Sequence, residues 1–200
     1  MVTTLGDTLL FLRSLLRDPS RIGAVAPSGR SLANLITADL TAFDKPIIEL
    51  GPGTGAFTQV LIERGVPEHR LVLVEADPAF AQTLTVRFPR ARVLAMDATR
   101  LLDLADLFDE PVGAVVSGLP LVSMPLEKVG LILQGAFRHL RPGGAMYQFT
   151  YFPRCPVPWR LMHEMDLEAV RIGCALANVP PAFVYRLRRI SSETSGLPRR

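Results

Sequence analysis

A glycine-rich turn preceded by an acidic residue is the part of this sequence whose residue types best fit ligand binding. The turn covers residues 49–55, with the letters ELGPGTG, and its glycines let the backbone approach a ligand closely. The third glycine comes one residue too early for the dinucleotide pattern GxGxxG, and no phosphate-binding Lys-Ser or Lys-Thr pair follows. We therefore expect a small ligand without a pyrophosphate group.

Two further acidic residues end the next two predicted strands. Glu75, with Ala76 after it, lies about 20 residues beyond the turn, where a carboxylate can accept hydrogen bonds from both hydroxyls of a ribose. The Asp97 side chain and the backbone amide of Ala98 can bind the edge of an adenine. Either acid alone could be a helix cap or a solvated charge. Together, at successive carboxyl ends of parallel strands, they predict one ligand crevice.

The strands and helices that must position these residues are visible as a regular alternation of short apolar runs and longer amphipathic runs. Such an order is typical of βαβ units and predicts an α/β fold with seven strands. The predicted strands lie at residues 46–50, 71–74, 91–96, 112–116, 145–150, 169–177 and 182–190, with the last pair antiparallel. The predicted helices lie at residues 56–64, from residue 78, at residues 125–140, and from residue 159 to about residue 168.

Composition excludes several classes of protein. With 48% hydrophobic and 20% charged residues, the chain is neither intrinsically disordered nor collagen-like. Its net charge of +3 is too small for the dense basic face of a nucleic-acid-binding protein. Two cysteines without a CxxC pair and three scattered histidines predict neither a disulfide framework nor a metal site. The sequence has no pattern of a membrane span or signal peptide, so we expect a cytoplasmic protein.

Residues 46–150 resemble the class I S-adenosylmethionine-dependent methyltransferases. The resemblance rests on the glycine turn, the two acids that follow it, and the end of the fourth strand at residues 117–120, with the letters SGLP. It implies a Rossmann-like seven-stranded sheet and S-adenosylmethionine as cofactor, with the methionine part over the glycine turn. The cofactor-binding residues that it implies are Glu49, Gly51, Gly53, Glu75, Ala76, Asp97, Ala98 and Ser117. This cofactor contains a ribose and an adenine but no phosphate, in agreement with the missing phosphate motif.

The loop after the fourth strand is expected to face the transferred methyl group. Methyl transfer needs an aligned nucleophile and exclusion of water more than a strong base. Adenine N6-methyltransferases carry Asn or Asp here, then a proline and an aromatic residue that stacks on a flipped base. Aligning Pro120 with that proline places Gly118 at the amide position and Leu121 at the aromatic position. Both base-binding groups are absent, which disfavours a nucleic-acid substrate.

The same loop, with the letters GLPLVSMP, resembles the short bacterial phospholipid N-methyltransferases, which convert phosphatidylethanolamine to phosphatidylcholine. Further matching segments are RIGAVAPS at residues 21–28, QFTY at 148–151 and NVPPA at 178–182, so the resemblance spans almost the whole chain. It implies a peripheral membrane enzyme that transfers methyl groups from S-adenosylmethionine to the amine of phosphatidylethanolamine and of its methylated forms.

The N-terminal segment has the pattern of an interfacial helix. Leu5, Leu9, Leu12 and Leu16 recur at helical spacing, and arginines lie beside them. A helix packed on its own domain has the same periodicity, and the lipid-enzyme resemblance favours the membrane. We therefore expect residues 1–45 to form a helical, membrane-associating extension and residues 46–200 to form the catalytic core of one domain. The protein is expected to act as a monomer on an anionic membrane, at the inner face of the cytoplasmic membrane.

A phosphoethanolamine head group needs a contact for its phosphate, a contact for its ammonium, and loss of a proton before attack. Arginine suits the phosphate, and the unranked candidates are Arg21, Arg30, Arg186, Arg188 and Arg189. The rings of Tyr151 and Tyr185 can contact the ammonium. Tyr151 is the better candidate because it ends a strand beside the methyl-transfer loop. The Ser117 carbonyl or the Tyr151 hydroxyl can accept a hydrogen bond from the amine, whose pKa burial lowers.

Two other classes of function stay open at this stage. One is a methyltransferase for RNA adenine or for a soluble small amine, and the other is a catalytically silent adaptor on a lipid surface. The missing amide and aromatic residue around Pro120 disfavour RNA. The intact set of glycines and acids in the predicted crevice disfavours the silent adaptor.

Overall fold

The computed structural model describes residues 27–40, 45–104, 107–178 and 180–190. Five α-helices lie in these ranges: α1 (Pro27–Ile36), α2 (Ala56–Glu63), α3 (Pro78–Arg87), α4 (Leu126–His139) and α5 (Trp159–Glu164). Short 3-10 helices lie at Glu68–Arg70, Ala98–Asp103 and Leu121–Ser123. The strands are β1 (Ile47–Leu50), β2 (Leu71–Glu75), β3 (Arg92–Ala95), β4 (Val112–Ser117), β5 (Leu140–Thr150), β6 (Leu167–Ala175) and β7 (Ala182–Arg189).

These strands form one seven-stranded sheet in the order β3-β2-β1-β4-β5-β7-β6. Strands β1 to β5 pair in parallel, and β7 is antiparallel to both of its neighbours. The predicted α/β class, the seven strands and the antiparallel last pair are confirmed. We call the edge where β1 to β5 end the carboxyl edge, and open α/β sheets bind their ligands there.

Apolar residues are buried on both faces of the central strands, as expected for parallel strands covered by helices. On one face, which we call the α4 face, Leu133 of α4 and Leu161 of α5 pack against Ile48 and Met146. On the other, which we call the α1 face, residues of α1, α2 and α3 pack against Ile47 and the other alternate strand residues. Each central strand is therefore fixed in register by burial on both faces.

Helix α1 belongs to the packed core although it lies within the range that the sequence analysis assigned to the N-terminal extension. Leu32 and Ile36 are buried in the cluster of the α1 face, Ala33 is fully buried as well, and the Arg64 guanidinium donates to the Asn34 carbonyl at 3.0 Å. The leucine pattern of residues 5–16 lies outside the described residues. Within the described ranges, no helix is long and apolar enough to cross a membrane.

The predicted bounds of three elements are wrong by two to five residues. Helix α5 ends at Glu164 instead of continuing to about residue 168, because Asp166 adopts a positive φ of 50° and β6 begins at Leu167. Strand β6 therefore occupies 167–175 instead of 169–177. Strand β5 begins five residues early at Leu140, which pairs with Val112 before an irregular register.

Candidate functional site

The glycine turn lies between β1 and α2 at the carboxyl edge, in the middle of the sheet. Gly51 has a φ of 66°, and a Cβ atom there would lie 2.7 Å from Cδ2 of Leu119. Gly53 has a φ of 55°, and a Cβ atom there would meet no atom within 4 Å. Both residues need the left-handed conformation that glycine adopts without strain. The space beside Gly53 leaves its backbone open to a ligand.

Glu75 joins the end of β2 to the glycine turn, so the structure brings these two predicted elements together. Its Oε2 accepts a hydrogen bond from the Gly53 amide at 2.9 Å, and its Oε1 accepts one from the Asp77 amide at 2.9 Å. Each carboxylate oxygen has a further lone pair that can accept from a ribose hydroxyl. Ala76, which follows Glu75, is exposed at the same edge.

Asp97 lies one strand further along the carboxyl edge. It caps the 3-10 helix that begins at Ala98, because its Oδ1 accepts from the amide and hydroxyl of Thr99, both at 2.9 Å. The Thr99 amide and the Lys128 ammonium, 3.7 Å from Oδ2, hold the pKa of Asp97 below its usual value. The carboxylate is partly exposed and charged, and its Oδ2 remains available to a ligand donor.

Glu49 is a buried carboxyl at the base of the turn, on the α1 face of β1. Its Oε2 accepts a hydrogen bond from Thr58 Oγ1 of α2 at 2.6 Å. Its Oε1 is buried, and no described residue hydrogen-bonds it. Burial, which disfavours the charged form, raises the pKa of Glu49 from 4.5 to about 7. A cationic ligand group beside the glycine turn would satisfy the unpaired oxygen and favour its ionised form.

The loop after β4 packs directly on the glycine turn. The Gly118 amide donates to the Leu50 carbonyl at 2.8 Å, and a Cβ atom at Gly118 would lie 2.6 Å from the Gly51 carbonyl oxygen. Ser117, which is fully buried, accepts a hydrogen bond from the Leu119 amide at 3.3 Å. Position 118 therefore has no room for the amide or acid side chain of the adenine methyltransferases.

A small apolar pocket opens between this loop and the end of β5. Its lining comes from residues 119–123 and 149–152, and Tyr151 forms part of the wall. The Tyr151 ring packs edge-to-face on Phe149 at 5.5 Å, and Phe149 packs in the same way on Phe57 at 6.0 Å. Burial raises the pKa of the Tyr151 hydroxyl, which hydrogen-bonds the Asn178 side chain. The structure thus brings Tyr151 beside the predicted methyl-transfer loop.

Tyr185 and Arg186 lie on opposite faces of β7. Tyr185 pairs with Gln148 and shares the α4 face with Leu187, whereas Arg186 pairs with Tyr147 on the α1 face. Arg186 forms an ion pair with Asp39 at 2.7 Å. The structure therefore does not bring Arg186 to the apolar pocket, because Arg186 pairs with Tyr147, outside the residues that line the pocket, and the Asp39 carboxylate binds its guanidinium.

The other arginine candidates that the structure describes are also engaged elsewhere. Arg30 forms an ion pair with Glu63 at 2.7 Å, and Arg189 lies over the Phe137 ring at 5.7 Å. Arg188 lines a cleft with Arg141, which lies in the irregular stretch of β5 between Leu140 and Ala145, at the edge of the sheet away from the glycine turn. A phosphate contact near the pocket was therefore not found among these residues.

Gln148 is a site residue that the sequence analysis quoted in a motif but gave no role. It is fully buried on β5, and its Nε2 donates to the carbonyls of Leu119 at 2.9 Å and Phe149 at 2.8 Å. Its Oε1 is buried without a partner among the described residues. The sequence marks Gln148 by its amide side chain, which interrupts the apolar run of residues 145–149. A polar side chain in a strand that is buried on both faces is costly unless it forms hydrogen bonds, so such a residue suggests a specific role.

The residues at the carboxyl edge fit S-adenosylmethionine. Glu49 offers an unpaired buried acceptor suited to the ammonium of the methionine part. The open space at Gly53 admits the ligand backbone, and Glu75 stands beside it for the ribose. Asp97 and Ala98 lie one strand further, in the position expected for the adenine. No cluster of metal-ligating residues occurs in the part of the chain that the structure describes.

Comparison with known proteins agrees with this geometry. Residues 47–144 match the family described as methyltransferase domain. The chain is 28% identical over 191 residues to the ornithine lipid N-methyltransferase of Singulisphaera acidiphila, covering 92% of this chain and 97% of that protein. It is 31% identical over 175 residues to ribosomal RNA small subunit methyltransferase A of Kineococcus radiotolerans, covering 82% of this chain but 55% of that protein.

Solved structures share the fold at low sequence identity. The N-methyltransferase NodS of Bradyrhizobium japonicum, in complex with S-adenosyl-L-homocysteine, has a TM-score of 0.61 at 18% identity, covering 90% of this chain and 98% of that chain. The glycopeptide N-methyltransferase MtfA, complexed with S-adenosyl-L-methionine, has a TM-score of 0.59 at 13% identity, covering 82% of this chain and 95% of that chain. The chain therefore has the Rossmann-like fold of the class I S-adenosylmethionine-dependent methyltransferases, and residues 47–144, which match the methyltransferase-domain family, contain its glycine turn and the acids of the carboxyl edge.

Proposed function

We propose that this chain transfers methyl groups from S-adenosylmethionine to the amine of a membrane lipid head group, with phosphatidylethanolamine as the acceptor and phosphatidylcholine as the final product. The observation that carries this proposal is the acceptor pocket. Its walls are apolar or aromatic, and the glycine at position 118 excludes the side chain that would hold an adenine amine. Such a pocket suits an amine at the end of an apolar molecule.

In the proposed reaction, the residues of the chain bind the cofactor and align the acceptor amine with its methyl group. The cofactor supplies a methyl group on a positively charged sulfur. Glu49 and Glu75 would hold the methionine and ribose parts of the cofactor, beside the loop after β4, which packs on the glycine turn. The pocket excludes water and lowers the pKa of the acceptor amine, which releases a proton to solvent before its lone pair attacks the methyl carbon. The carbon–sulfur bond breaks as the carbon–nitrogen bond forms, and the sulfur leaves uncharged.

Tyr151 is proposed to hold the amine by its ring face. A cation over a buried aromatic ring gains about 2 kcal/mol, and the ring is fixed by Phe149 and by the hydrogen bond to Asn178. The same contact would strengthen the binding of methylated ammonium products, because they remain cationic. The raised pKa of Tyr151 keeps its hydroxyl neutral, and it can accept a hydrogen bond from the amine.

An ornithine lipid is the second candidate acceptor. Its support is the 28% identity to an ornithine lipid N-methyltransferase along 97% of that protein. An ornithine head group presents an amine and a carboxylate, whereas phosphatidylethanolamine presents an amine and a phosphate. The arginines that the sequence suggested for a phosphate lie away from the pocket or outside the described residues, so the anionic contact does not separate these two acceptors.

The membrane is the proposed partner surface, at the inner face of the cytoplasmic membrane. Large apolar side chains are exposed on loops and helix starts at the carboxyl edge, and one of them, Val122, also lines the pocket. They include Val122 at 41%, Trp159 at 81% and Leu176 at 77% exposure. Tryptophan is favoured at membrane interfaces because it has an apolar ring and a polar N–H group. These residues and the leucines of residues 5–16 support a peripheral attachment.

Methyl transfer from labelled cofactor tests the proposed function. The purified protein is incubated with vesicles containing phosphatidylethanolamine or ornithine lipid in an anionic matrix, and in parallel with ribosomal RNA and with free ethanolamine. We expect label in a lipid fraction, and the vesicle composition identifies the acceptor. Glu75→Ala serves as the control that lacks the ribose contact. Label in RNA or ethanolamine alone would contradict a lipid acceptor.

Vesicle flotation tests the membrane proposal. The double variant Leu9→Glu, Leu12→Glu and the single variant Trp159→Ala are expected to float less well with anionic vesicles than the unchanged protein. Val86, which is 79% exposed at the far end of α3, provides the matched control Val86→Glu. Equal flotation of all four proteins would contradict attachment through these residues.

A further inference from the structure

Two buried side-chain oxygens in the described part of the chain have no hydrogen-bond partner, and they lie on the two strands that flank β4. One is Oε1 of Glu49 on β1, which faces the cofactor side, and the other is Oε1 of Gln148 on β5. A buried acceptor without a donor is costly, so each such atom needs an explanation, and a donor supplied by a bound ligand is one. The proposed cofactor contact accounts for Glu49 and leaves Gln148 unexplained.

The contacts of Gln148 fix the orientation of its amide. Both hydrogens of Nε2 are used, one by the Leu119 carbonyl at 2.9 Å and one by the Phe149 carbonyl at 2.8 Å. Turning the amide over would place Oε1 against two carbonyl oxygens, which repel it. The unpaired group is therefore an acceptor, and only a donor can satisfy it.

The position of Gln148 places this acceptor beside the methyl-transfer loop. Leu119 and Phe149, whose carbonyls it contacts, both belong to the lining of the apolar pocket, and Gln148 is fully buried next to them. Gln148 also lies between the two other predicted acceptor-site residues of the α4 face, because it pairs with Ser117 of β4 and with Tyr185 of β7. The buried polar row across β4, β5 and β7 therefore has Gln148 at its centre.

We propose that Gln148 Oε1 accepts a hydrogen bond from an N–H group of the acceptor amine and thereby points the nitrogen lone pair at the methyl group. This inference rests on the proposed lipid-amine function and assigns a further catalytic residue to it. It has a consequence for the order of methylation. The reactive neutral amine has two N–H groups before the first transfer, one before the second and none before the third. Gln148 can therefore assist the first two transfers and not the third.

Single-turnover methylation of three separate lipids tests this consequence. Vesicles contain phosphatidylethanolamine, its monomethyl form or its dimethyl form, and the variant is Gln148→Met, which keeps the length of the side chain and removes the acceptor. Gln134→Met, on the exposed face of α4, is the matched control. We expect a loss of about tenfold in each of the first two transfers and less than about twofold in the third, relative to the control.

The pattern across the three lipids separates this role from a purely structural one. If Gln148 acts only by fixing the positions of Leu119 and Phe149 through its two hydrogen bonds, Gln148→Met slows all three transfers by the same factor. That result would overturn the inference. Equal rates for Gln148→Met and the control would overturn it too. Because the ratio of the first to the third rate is taken within one variant, a partly unfolded sample does not change it.

A second variant keeps the hydrogen-bond acceptor and removes the two hydrogen bonds that Nε2 donates to the Leu119 and Phe149 carbonyls. Gln148→Glu loses both N–H groups but retains a side-chain oxygen at Oε1. It is expected to slow all three transfers while keeping the first-to-third ratio of the unchanged protein. A ratio as low as that of Gln148→Met would overturn the inference. Failure of the unchanged protein to methylate any of the three lipids, or an ornithine lipid, would instead refute the proposed function.

Discussion

The buried carboxyl of Glu49 should make cofactor binding depend on pH between pH 6 and 7. Its pKa rises from 4.5 to about 7, a difference of about 2.5 units, because burial disfavours the charge more than the Thr58 hydrogen bonds favour it. At 1.36 kcal/mol per unit, the folded protein without ligand favours the protonated form by about 3 kcal/mol more than the unfolded chain does. A bound ammonium beside Oε1 reverses this preference. Cofactor binding should therefore expel a proton from Glu49.

The sign of the stability effect follows from the same pKa. Because the folded-state pKa lies above the unfolded value, Glu49 contributes stability that is complete below pH 4.5 and is lost as the pH rises to about 7. The loss is about 3 kcal/mol for the protein without ligand. A ligand cation restores stability in the upper part of this range. Cofactor affinity should accordingly increase from pH 6 to pH 7 and change little above it.

Calorimetric titration with S-adenosylhomocysteine, in two buffers of different ionisation enthalpy, measures the expelled proton. At pH 7 the unchanged protein should release about half a proton per ligand, and at pH 6 about 0.9, while the amine of the ligand stays largely protonated. Glu49→Gln should release none, and its affinity should not change with pH. Thr58→Val removes a hydrogen bond that favours the charged form, so it should raise the pKa of Glu49 and the release at pH 7.

Glu168→Gln, at an exposed position of β6, is the matched control and should behave as the unchanged protein. The same proton release from Glu49→Gln as from the unchanged protein would refute a contact between Glu49 and the ligand ammonium. No release at pH 7 from the unchanged protein would show that Glu49 keeps its proton state on binding, and would refute the reasoning as well.

Three further outcomes concern the other residues of the site. Glu75→Ala should weaken cofactor binding by about tenfold or more in the same titration, because a charged acceptor for the ribose is lost, and unchanged affinity in a folded variant would contradict this. Gly118→Ala should lower the free energy of unfolding by about 1–3 kcal/mol and weaken cofactor binding, since its Cβ meets the Gly51 carbonyl at 2.6 Å; denaturant unfolding with no change would contradict this. Tyr151→Ala should slow lipid methylation by well over tenfold at unchanged cofactor affinity, whereas Tyr151→Phe should retain activity if the ring suffices; full activity of both variants would make Tyr151 a packing residue.

The sheet could be predicted because burial on both faces makes its central strands nearly continuous apolar runs. Strands β1, β2 and β4 match their predicted ranges to within one residue, and the proline at the start of α3 and the Arg-Pro-Gly-Gly after α4 mark the ends of those helices. The end of α5 could not be predicted in this way. It depends on Asp166, which has a positive φ and whose carbonyl accepts a hydrogen bond from the Ile190 amide. Both features accompany the pairing of β6 with β7, a contact between segments far apart in the sequence.

The cofactor side of the site could be predicted from the sequence, whereas the acceptor side could only partly be. Glu49, Glu75 and Asp97 each end a strand or stand beside the glycine turn, so strand order and the carboxyl-edge rule suffice to bring them together. Gln148 lies inside a strand, and its contacts with Leu119 depend on the pairing of β4 with β5, which no local pattern states.

The two-residue period of a strand also separates Tyr185, a candidate contact for the ammonium, from Arg186, a candidate contact for the phosphate. Adjacent residues of a strand point to opposite faces, so at most one of the two could join Ser117 and Gln148 on the α4 face. The register of β7 with β5 places Tyr185 there, and Arg186 contacts Asp39, which follows helix α1 on the opposite face. Arginine chemistry alone made Arg186 one of five unranked candidates for a phosphate contact, but its guanidinium forms an ion pair with Asp39. Among the described residues, Arg186 is therefore not available as the anionic head-group contact, and in the proposed function we expect that contact at the carboxyl edge, where the loops around the apolar pocket face the membrane.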